Sequence, residues 1–115
     1  MSTAKIYKLE CLSTPYIFIN ATTKKYLSER LTFYRCEYKR YLASKQDENE
    51  YNNYVKKKIE SGNESIIKLF KLFDVYGIKS FKILLLKEIN HSSNDDLKAQ
   101  VYDVIKNTDC INKKV

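Results

Sequence analysis

The spacing of apolar and polar side chains divides the chain into two short strands near its start and amphipathic helices farther on. Residues 4–10 and 16–20 are rich in β-branched and aromatic side chains, which predicts two strands. Ser13-Thr14-Pro15 lies between them and predicts the turn of a hairpin. Residues 26–45 have apolar side chains at intervals of three and four, which predicts a helix with one buried face. That face would carry Leu27, Leu31, Tyr34, Tyr38 and Leu42.

A second amphipathic pattern covers residues 64–76. Its apolar side chains form a wide stripe with charged residues opposite, which is typical of a helix packed on a core. Gly62-Asn63 predicts the end of the preceding segment, because both residues tolerate the left-handed conformation of a helix C-cap. The stripe consists of Ile66, Leu69, Phe70 and Phe73, and the opposite side of Lys68, Lys71 and Asp74.

The last third of the chain predicts one strand and a closing helix. Gly77 breaks the preceding helix, and the apolar run 81–89 predicts a buried third strand. Ser93 and Asp96 resemble a capping box with Asp in place of Glu, so a helix is expected over 94–106. His91 is expected in a polar loop before this helix, without a second metal ligand nearby in sequence. The helix stripe would consist of Leu97, Val101, Val104 and Ile105.

The elements follow the order β-β-α-α-α-β-α, which predicts an α+β fold. We expect a small three-stranded antiparallel sheet with helices packed against it. A chain of 115 residues suits a single domain over 1–115. Residues 46–64 form a polar insert: residues 46–53 are either a loop or a solvated helical extension, and Lys56-Lys57-Lys58 is expected on a second helical stretch.

Positive charge is concentrated in one part of the chain. The net charge is +7, and residues 24–45 alone contribute +5. A concentrated positive surface attracts phosphates by releasing condensed counterions, so DNA is an expected partner; a solvated helix face is the alternative interpretation. Lysine outnumbers arginine 18 to 3, which is typical of AT-rich genomes such as those of many large DNA viruses. The basic residues of the stretch are Lys24, Lys25, Arg30, Arg35, Lys39, Arg40 and Lys45.

The three cysteines, Cys11, Cys36 and Cys110, are widely separated and form no CxxC pair. This spacing argues against a zinc site. Reduced thiols in a cytoplasmic or nuclear compartment are the expectation. No apolar leader opens the chain and no apolar run approaches about 18 residues, so neither secretion nor a membrane span is expected.

Several segments, in order along the chain, resemble the GIY-YIG nuclease family. Lys5-Ile6-Tyr7 is followed, eleven residues after its tyrosine, by Phe18-Ile19-Asn20, and then by a helix carrying Arg30. The strand at 81–86 and the segments 96–99 and 109–113 extend the likeness over nearly the whole chain. The likeness is closest to the viral and phage branch of the family.

The resemblance implies phosphodiester hydrolysis with a single metal ion in active members. Two motif tyrosines line the site and one helps to activate water, while an arginine on the first helix holds the scissile phosphate. A histidine or tyrosine one turn later assists proton transfer, a glutamate on a later helix binds Mg²⁺, and an asparagine near the end supports the site. The metal acidifies water, and the arginine fork matches phosphate oxygens.

Carried onto this chain, the resemblance implies a site whose chemistry has changed. Tyr7 matches the first tyrosine, Arg30 the arginine and Tyr34 the histidine-or-tyrosine position, and these three are the candidate catalytic residues. Phe18 replaces the second tyrosine and lacks its hydroxyl, while Asn20 replaces the motif glycine and adds bulk to the cleft. The candidate substrate-binding residues are Arg30, Lys24, Lys25, Arg35 and Asn112, which matches the terminal asparagine.

Val101 falls where the resemblance places the metal-binding glutamate. Valine offers no oxygen ligand to Mg²⁺, and Val101 also completes the apolar stripe of its helix. Gln100 and Asp103 lie about 100° and about 200° around the helix from it, so neither presents the same face. We therefore expect no metal site and no resident cofactor; only an active form would use Mg²⁺ or Mn²⁺.

Three functions follow from these residues. The first is a nuclease-derived protein that binds nucleic acid with impaired or absent cleavage. The second is a divergent active endonuclease that takes its carboxylate from elsewhere, such as Glu88 or Asp95. The third is a protein-interaction module, a viral factor that uses the fold as a scaffold. The sequence favours the first, because positions 18, 20 and 101 all depart from the active pattern.

Overall fold

The computed structural model describes residues 2–112, which form a three-stranded antiparallel sheet and four α-helices. This arrangement confirms the predicted α+β class and the order of the elements. Among the helices of residues 2–112, none is both long and apolar enough to cross a membrane. The strands are β1 (Ser2–Glu10), β2 (Phe18–Thr22) and β3 (Lys82–His91), and the helices are α1 (Leu27–Ser44), α2 (Glu48–Glu60), α3 (Glu64–Tyr76) and α4 (Asn94–Lys106), with a 3₁₀ turn at Ile78–Ser80.

β1 is the central strand, and the strand order is β2-β1-β3. The hairpin of β1 and β2 forms as predicted, with Tyr7 directly opposite Asn20. β2 begins at Phe18, two residues later than expected, and the connecting turn is closed by a 3.2 Å hydrogen bond from the Thr14 N–H to the Cys11 carbonyl. Successive side chains of a strand point to opposite faces, so β1 supplies one residue set to each side of the sheet.

β3 is an edge strand, and the prediction that its apolar run is buried was wrong. Leu84, Leu85 and Leu86 are 39%, 48% and 40% exposed. The pairing of β3 with β1 shifts by one residue between Leu85 and Lys87, which is the signature of a β-bulge. The run is buried only at its two ends, at Phe81 and Ile89. A fully buried strand is central and covered on both faces along its length, whereas β3 lies at an edge.

The larger core lies between one face of the sheet and helices α1 and α3. The predicted stripe of α3 is confirmed, since Ile66, Leu69, Phe70 and Phe73 are all buried. The predicted face of α1 is correct except at its end. There Tyr41 is fully buried, whereas Leu42 is 41% exposed. Each residue turns the helix by about 100°, so one step moves a side chain from the core to the rim.

The smaller core lies on the opposite face of the sheet, under α4. Ala4, Ile6, Ile19 and Ile89 are its buried members. Ser93 begins α4 by accepting a 3.1 Å hydrogen bond from the Asp96 N–H, and the Asp96 carboxylate accepts one of 2.9 Å from the Ser92 N–H. The predicted helix start at Ser93 is confirmed, although Asp96 accepts from the N–H of Ser92 and not from that of Ser93, as a capping box would require. The predicted stripe is also confirmed and packs on this core as Leu97, Val101, Val104 and Ile105.

The polar insert is mostly helical. Asp47 starts α2 by accepting hydrogen bonds from the N–H groups of Asn49 and Glu50, at 2.8 and 3.2 Å. The helix covers Lys56-Lys57-Lys58, as predicted, and lies against both α1 and α3. Gly62 then adopts a φ of 79°, which reverses the chain into α3. Of the two alternatives for residues 46–53, the structure shows the helix from Glu48 onward.

Candidate functional site

Two buried tyrosines meet at the centre of the candidate site. Tyr7 lies in the middle of β1 and Tyr34 on the inner face of α1, and both side chains are fully buried. Their hydroxyl oxygens are 2.5 Å apart, which is a short O–H···O hydrogen bond. The rings meet at an edge-to-face angle of 66°. Two of the three predicted catalytic residues are thus in direct contact.

Arg30 completes this group from one turn earlier on α1. Its Nε donates a hydrogen bond of 3.3 Å to the Tyr7 hydroxyl. Its guanidinium carbon lies 4.1 Å from the centre of the Phe33 ring and 5.3 Å from that of Tyr34. Within residues 2–112, no carboxylate lies within 4.0 Å of the guanidinium. Among residues 2–112, Arg30 is therefore held in place by neutral groups and forms no ion pair with a carboxylate.

The protonation states of this group follow from its burial. Desolvation, then the charge and the hydrogen bond of Tyr34, hold the pKa of Tyr7 far above its ordinary value of 10.0, and Arg30 offsets this only in part. Burial alone would lower the pKa of Arg30, but the hydrogen bond and attraction of Tyr7 and then of Tyr34 outweigh it and raise that pKa. At neutral pH, Tyr7 is a neutral phenol and Arg30 a cation, so Tyr7 is a poor proton acceptor.

Phe18 and Asn20, two of the three positions that depart from the motif this chain resembles, both touch Tyr34. Phe18 is buried and packs edge-on against Tyr34 with ring centres 5.9 Å apart. The Asn20 Nδ2 donates a hydrogen bond of 3.4 Å to the Tyr34 hydroxyl, and its Oδ1 accepts one of 2.8 Å from the Ala21 N–H. Asn20 lies in a regular strand, and none of the non-glycine residues among 2–112 has a positive φ. The side chain that was predicted to add bulk at this position is an amide that hydrogen-bonds to Tyr34.

Asn112 fastens the end of the described chain to β2. Its Oδ1 accepts a 2.7 Å hydrogen bond from the Ile19 N–H, and its Nδ2 donates one of 2.7 Å to the Ile19 carbonyl. The Ile111 N–H adds a 2.9 Å bond to the Ile17 carbonyl. Both polar atoms of the Asn112 amide are therefore engaged by backbone. These bonds satisfy part of the free edge of the strand that carries Phe18 and Asn20, and the substrate-binding role predicted for Asn112 stays a prediction.

The basic residues predicted to bind substrate are only partly brought together. Lys24 and Lys25 are exposed in the loop that enters α1, and the Lys25 ammonium lies 5.3 Å from the centre of the Tyr26 ring. Arg35 is also exposed, but it follows Arg30 by five residues and therefore lies about 140° around the helix from it. Lys24 and Lys25 precede Arg30 on the same end of α1, whereas Arg35 faces another direction.

The position expected for a metal-binding glutamate is inside the smaller core. Val101 packs there on the face of the sheet opposite to Tyr7 and Arg30. The Gln100 Nε2 donates a 2.9 Å hydrogen bond to the Asn90 carbonyl. Asp103 is exposed on the same helix. None of these three side chains places an oxygen ligand for a metal ion beside Tyr7 and Tyr34.

The other candidate carboxylates do not supply a metal site either. Glu88 pairs with Lys5 at 3.8 Å, and Asp95 is exposed in the first turn of α4. Over the described range 2–112, no three His, Cys, Asp or Glu side chains gather in a group that could hold a metal ion. The donor set around Tyr7 and Arg30 consists of phenols, an amide and a cation. These groups do not suit Mg²⁺, which prefers anionic oxygen ligands.

His91 is not in a polar loop, and that prediction was wrong. It is the last residue of β3 and is buried, with its Nδ1 3.4 Å from the Ser93 carbonyl oxygen. The strand continues two residues beyond the apolar run, so the polar sequence 90–91 misled the prediction of its end. It lies opposite Ser2, five residues along β1 from Tyr7.

Two aromatic residues beside Arg30 were missed by the sequence analysis. Phe33 lies against the guanidinium, and Tyr26 immediately precedes α1. For Phe33 the available signal was spacing, because a residue at i+3 from Arg30 shares its side of a helix. Both were passed over because they lie outside the apolar stripe.

Comparisons of this chain with protein-family models, with curated proteins and with solved structures find no match.

Proposed function

We propose that this protein binds nucleic acid through Arg30 and its basic surroundings, as a GIY-YIG-like protein that has lost cleavage. One observation carries the proposal. Arg30 is positioned by the Tyr7 hydroxyl and by the Phe33 ring while, across residues 2–112, no carboxylate lies within 4.0 Å to neutralise it. An arginine fixed in this way is pre-organised for an anionic ligand.

The remaining donors of Arg30 suit a phosphate. Only Nε is used by Tyr7, so the terminal nitrogens keep the geometry that matches two phosphate oxygens. Partial burial weakens solvent screening, and attraction is therefore stronger there than at a fully exposed lysine. Lys24 and Lys25 add charge at the same end of α1, which supports binding to a polyanion over binding to an isolated anion.

Loss of cleavage is supported by the chemistry of three positions. Val101 cannot ligate a metal and packs on the opposite face of the sheet. Phe18 has no hydroxyl. The raised pKa of Tyr7 leaves a neutral phenol that accepts a proton poorly. Hydrolysis of a phosphodiester by this family's route needs an activated water and charge neutralisation, and these residues supply neither.

The experiment is a paired assay on one set of samples. Purified protein is incubated with supercoiled plasmid and Mg²⁺ or Mn²⁺, and each sample is examined for both retardation and nicking. We expect retardation at low salt without nicking, weakened by Arg30→Ala. Lys98→Ala is the matched charge control, since Lys98 is an exposed residue of α4. Retardation that is equal for Arg30→Ala and wild type would contradict the proposed site.

A divergent active endonuclease is the second candidate. The observation in its favour is that Tyr7, Arg30 and Tyr34 lie in mutual contact. Metal-dependent nicking that disappears in Arg30→Ala would establish it and overturn the loss of cleavage. Absence of any retardation at low salt would instead direct attention to a protein partner.

A further inference from the structure

Exposed aromatic residues precede and follow Arg30 at the start of α1. Tyr26 is 59% exposed and Phe33 is 37% exposed. Phe33 lies on α1, three residues after Arg30 and against its guanidinium, whereas Tyr26 is the extended residue that caps the start of the helix. Arg30 therefore lies between the two aromatic residues in the sequence, within the first turns of the helix. The order along this edge is therefore aromatic, cation, aromatic.

Each ring is already associated with a cation. The Phe33 ring lies 4.1 Å from the Arg30 guanidinium carbon, and the Tyr26 ring lies 5.3 Å from the Lys25 ammonium. Single exposed hydrophobic residues are normal on protein surfaces. A row in which rings alternate with cations that form no ion pair within residues 2–112 is different, because it offers flat apolar surfaces and phosphate-binding charges in alternation. Nucleic-acid strands have the same alternation of flat bases and phosphates.

We infer that this edge, formed by Tyr26, Arg30 and Phe33 with Lys25, binds unpaired nucleotides of a single strand or an open junction. The inference rests on the proposed function and specifies its ligand. Arg30 holds a phosphate, and bases stack on Phe33 with its guanidinium and on Tyr26. Base stacking on aromatic rings and arginine planes is the usual means of holding unpaired strands.

The requirement for unpaired bases follows from what each ligand exposes. In a duplex the faces of the bases are covered by their neighbours, so only phosphates and groove edges reach a protein surface. Arg30 and the lysines can attract a duplex through its phosphates, but Tyr26 and Phe33 find no free base face there. An unpaired strand engages both kinds of group, and it should bind more tightly at the same salt concentration.

The absence of tryptophan from this chain gives a direct test. Phe33→Trp places the only indole of the protein in the edge, and Tyr102→Trp places one at an exposed position on α4 as the control. Each variant is titrated with a single-stranded oligonucleotide of mixed sequence and with the matching duplex. We expect the single strand to quench the indole of Phe33→Trp, the duplex to leave it unquenched, and Tyr102→Trp to respond to neither.

Affinity measurements on Phe33→Leu complete the test. Leucine keeps an apolar side chain but removes the ring, so the affinity for the single strand should fall about tenfold, a loss typical of removing one stacked base. Affinity for the duplex should fall less, because a duplex loses only the support that the Phe33 ring gives to Arg30. Equal losses for both ligands, or no quenching of Phe33→Trp by a bound single strand, would overturn the inference.

These outcomes separate the inference from the proposed function. If wild type binds single strand and duplex equally, and Arg30→Ala weakens both, the proposed function stands and the stacking edge is refuted. If neither ligand binds at low salt, both are refuted. Preference for the single strand that survives Phe33→Leu would place the selectivity elsewhere and also contradict the inference.

Discussion

At the scale of single residues, the Tyr7 hydroxyl is the group that hydrogen-bonds to both Tyr34 and Arg30 in the candidate site. It lies 2.5 Å from the Tyr34 hydroxyl and accepts a hydrogen bond from Arg30 at 3.3 Å. The strand fixes Tyr7 and the helix fixes the other two, so this one oxygen joins the sheet to α1. Its raised pKa keeps it neutral at ordinary pH. It therefore acts as an anchor for Arg30.

The Tyr7→Phe variant should lose both stability and binding. Removing the hydroxyl leaves the buried Tyr34 hydroxyl with only the weak Asn20 contact of 3.4 Å, so the free energy of unfolding should fall by about 1–2 kcal/mol. Arg30 loses its fixing partner, so nucleic-acid affinity should fall as well. Urea unfolding and a binding titration measure the two effects, with Tyr102→Phe as the exposed control. Unchanged stability would contradict the account of the buried pair.

Sequence reasoning reached this group only through the family resemblance. Periodicity placed Tyr34 on the inner face of α1 and composition placed Tyr7 in a strand, but neither pattern could show that the two hydroxyls meet. The contact depends on how the helix packs on the sheet, which is not a local property. The engagement of Asn112 with Ile19, across 93 residues, is of the same kind.

At the scale of elements, Asp74 ties α3 to α1. It accepts hydrogen bonds from Tyr38 at 2.6 Å, Tyr41 at 3.2 Å and Lys45 at 2.6 Å. Partial burial works to raise the pKa of Asp74, but the hydrogen bonds of Lys45 and then Tyr38 outweigh it and hold that pKa below 3.8. The sequence analysis placed Asp74 on the polar side of α3. It did not foresee that α1 supplies two partners there and that Lys45, the residue after the helix, supplies a third.

Substitution of Asp74 should show its effect as a function of pH. The lowered pKa means that its stabilisation is complete above 3.8, its ordinary value, and is lost as pH falls through the lower folded value. At pH 7, Asp74→Asn should reduce the free energy of unfolding by about 1–3 kcal/mol. The difference from wild type should shrink below pH 4, measured by urea unfolding. A difference independent of pH would contradict the charge-assisted network, and Asp103→Asn on α4 is the control.

The helices and strands themselves were largely predictable from the sequence, but which elements lie next to one another in the fold was not. The apolar stripes of α3 and α4 indicate buried faces directly, because helix period and composition agree. The run Leu84-Leu85-Leu86 was interpreted as a buried strand, yet the order β2-β1-β3 leaves it at an edge. Strand order is set by pairing between distant segments, and apolarity alone cannot distinguish a central strand from an exposed one.

At the scale of the whole molecule, the core is unusually rich in tyrosines with raised pKa values. Burial is the largest cause in each case, and it raises the pKa of Tyr38, Tyr41 and Tyr54 to about 12, with Tyr7 higher still. Unfolded tyrosines ionise near pH 10. The folded protein therefore retains more protons than the unfolded chain above that pH, and its stability must fall as the pH rises.

Alkaline unfolding tests this directly. The free energy of unfolding should decline between pH 10 and 12, in step with tyrosinate absorption. Tyr54→Phe should reduce the decline, and it should cost at most about 1 kcal/mol at pH 7, because the buried Tyr54 hydroxyl has no hydrogen-bond partner among residues 2–112. Tyr102→Phe, an exposed change, should leave the pH dependence unaltered. Stability that is constant up to pH 12 would refute the linkage.

The distribution of charge over the molecule leads to the most direct measurement. Of the charged contacts within residues 2–112, Arg40 and Lys45 are paired with Glu37 and Asp74, whereas Arg30 is not paired with a carboxylate. The binding of a labelled single-stranded oligonucleotide should be measured over a series of salt concentrations for wild type, Arg30→Ala and Lys98→Ala. We expect Arg30→Ala to lower affinity about tenfold and the salt slope by about one, the change expected for one lost phosphate contact, with Lys98→Ala unchanged. Identical affinities and slopes for Arg30→Ala and wild type would contradict the central claim that Arg30 holds a phosphate.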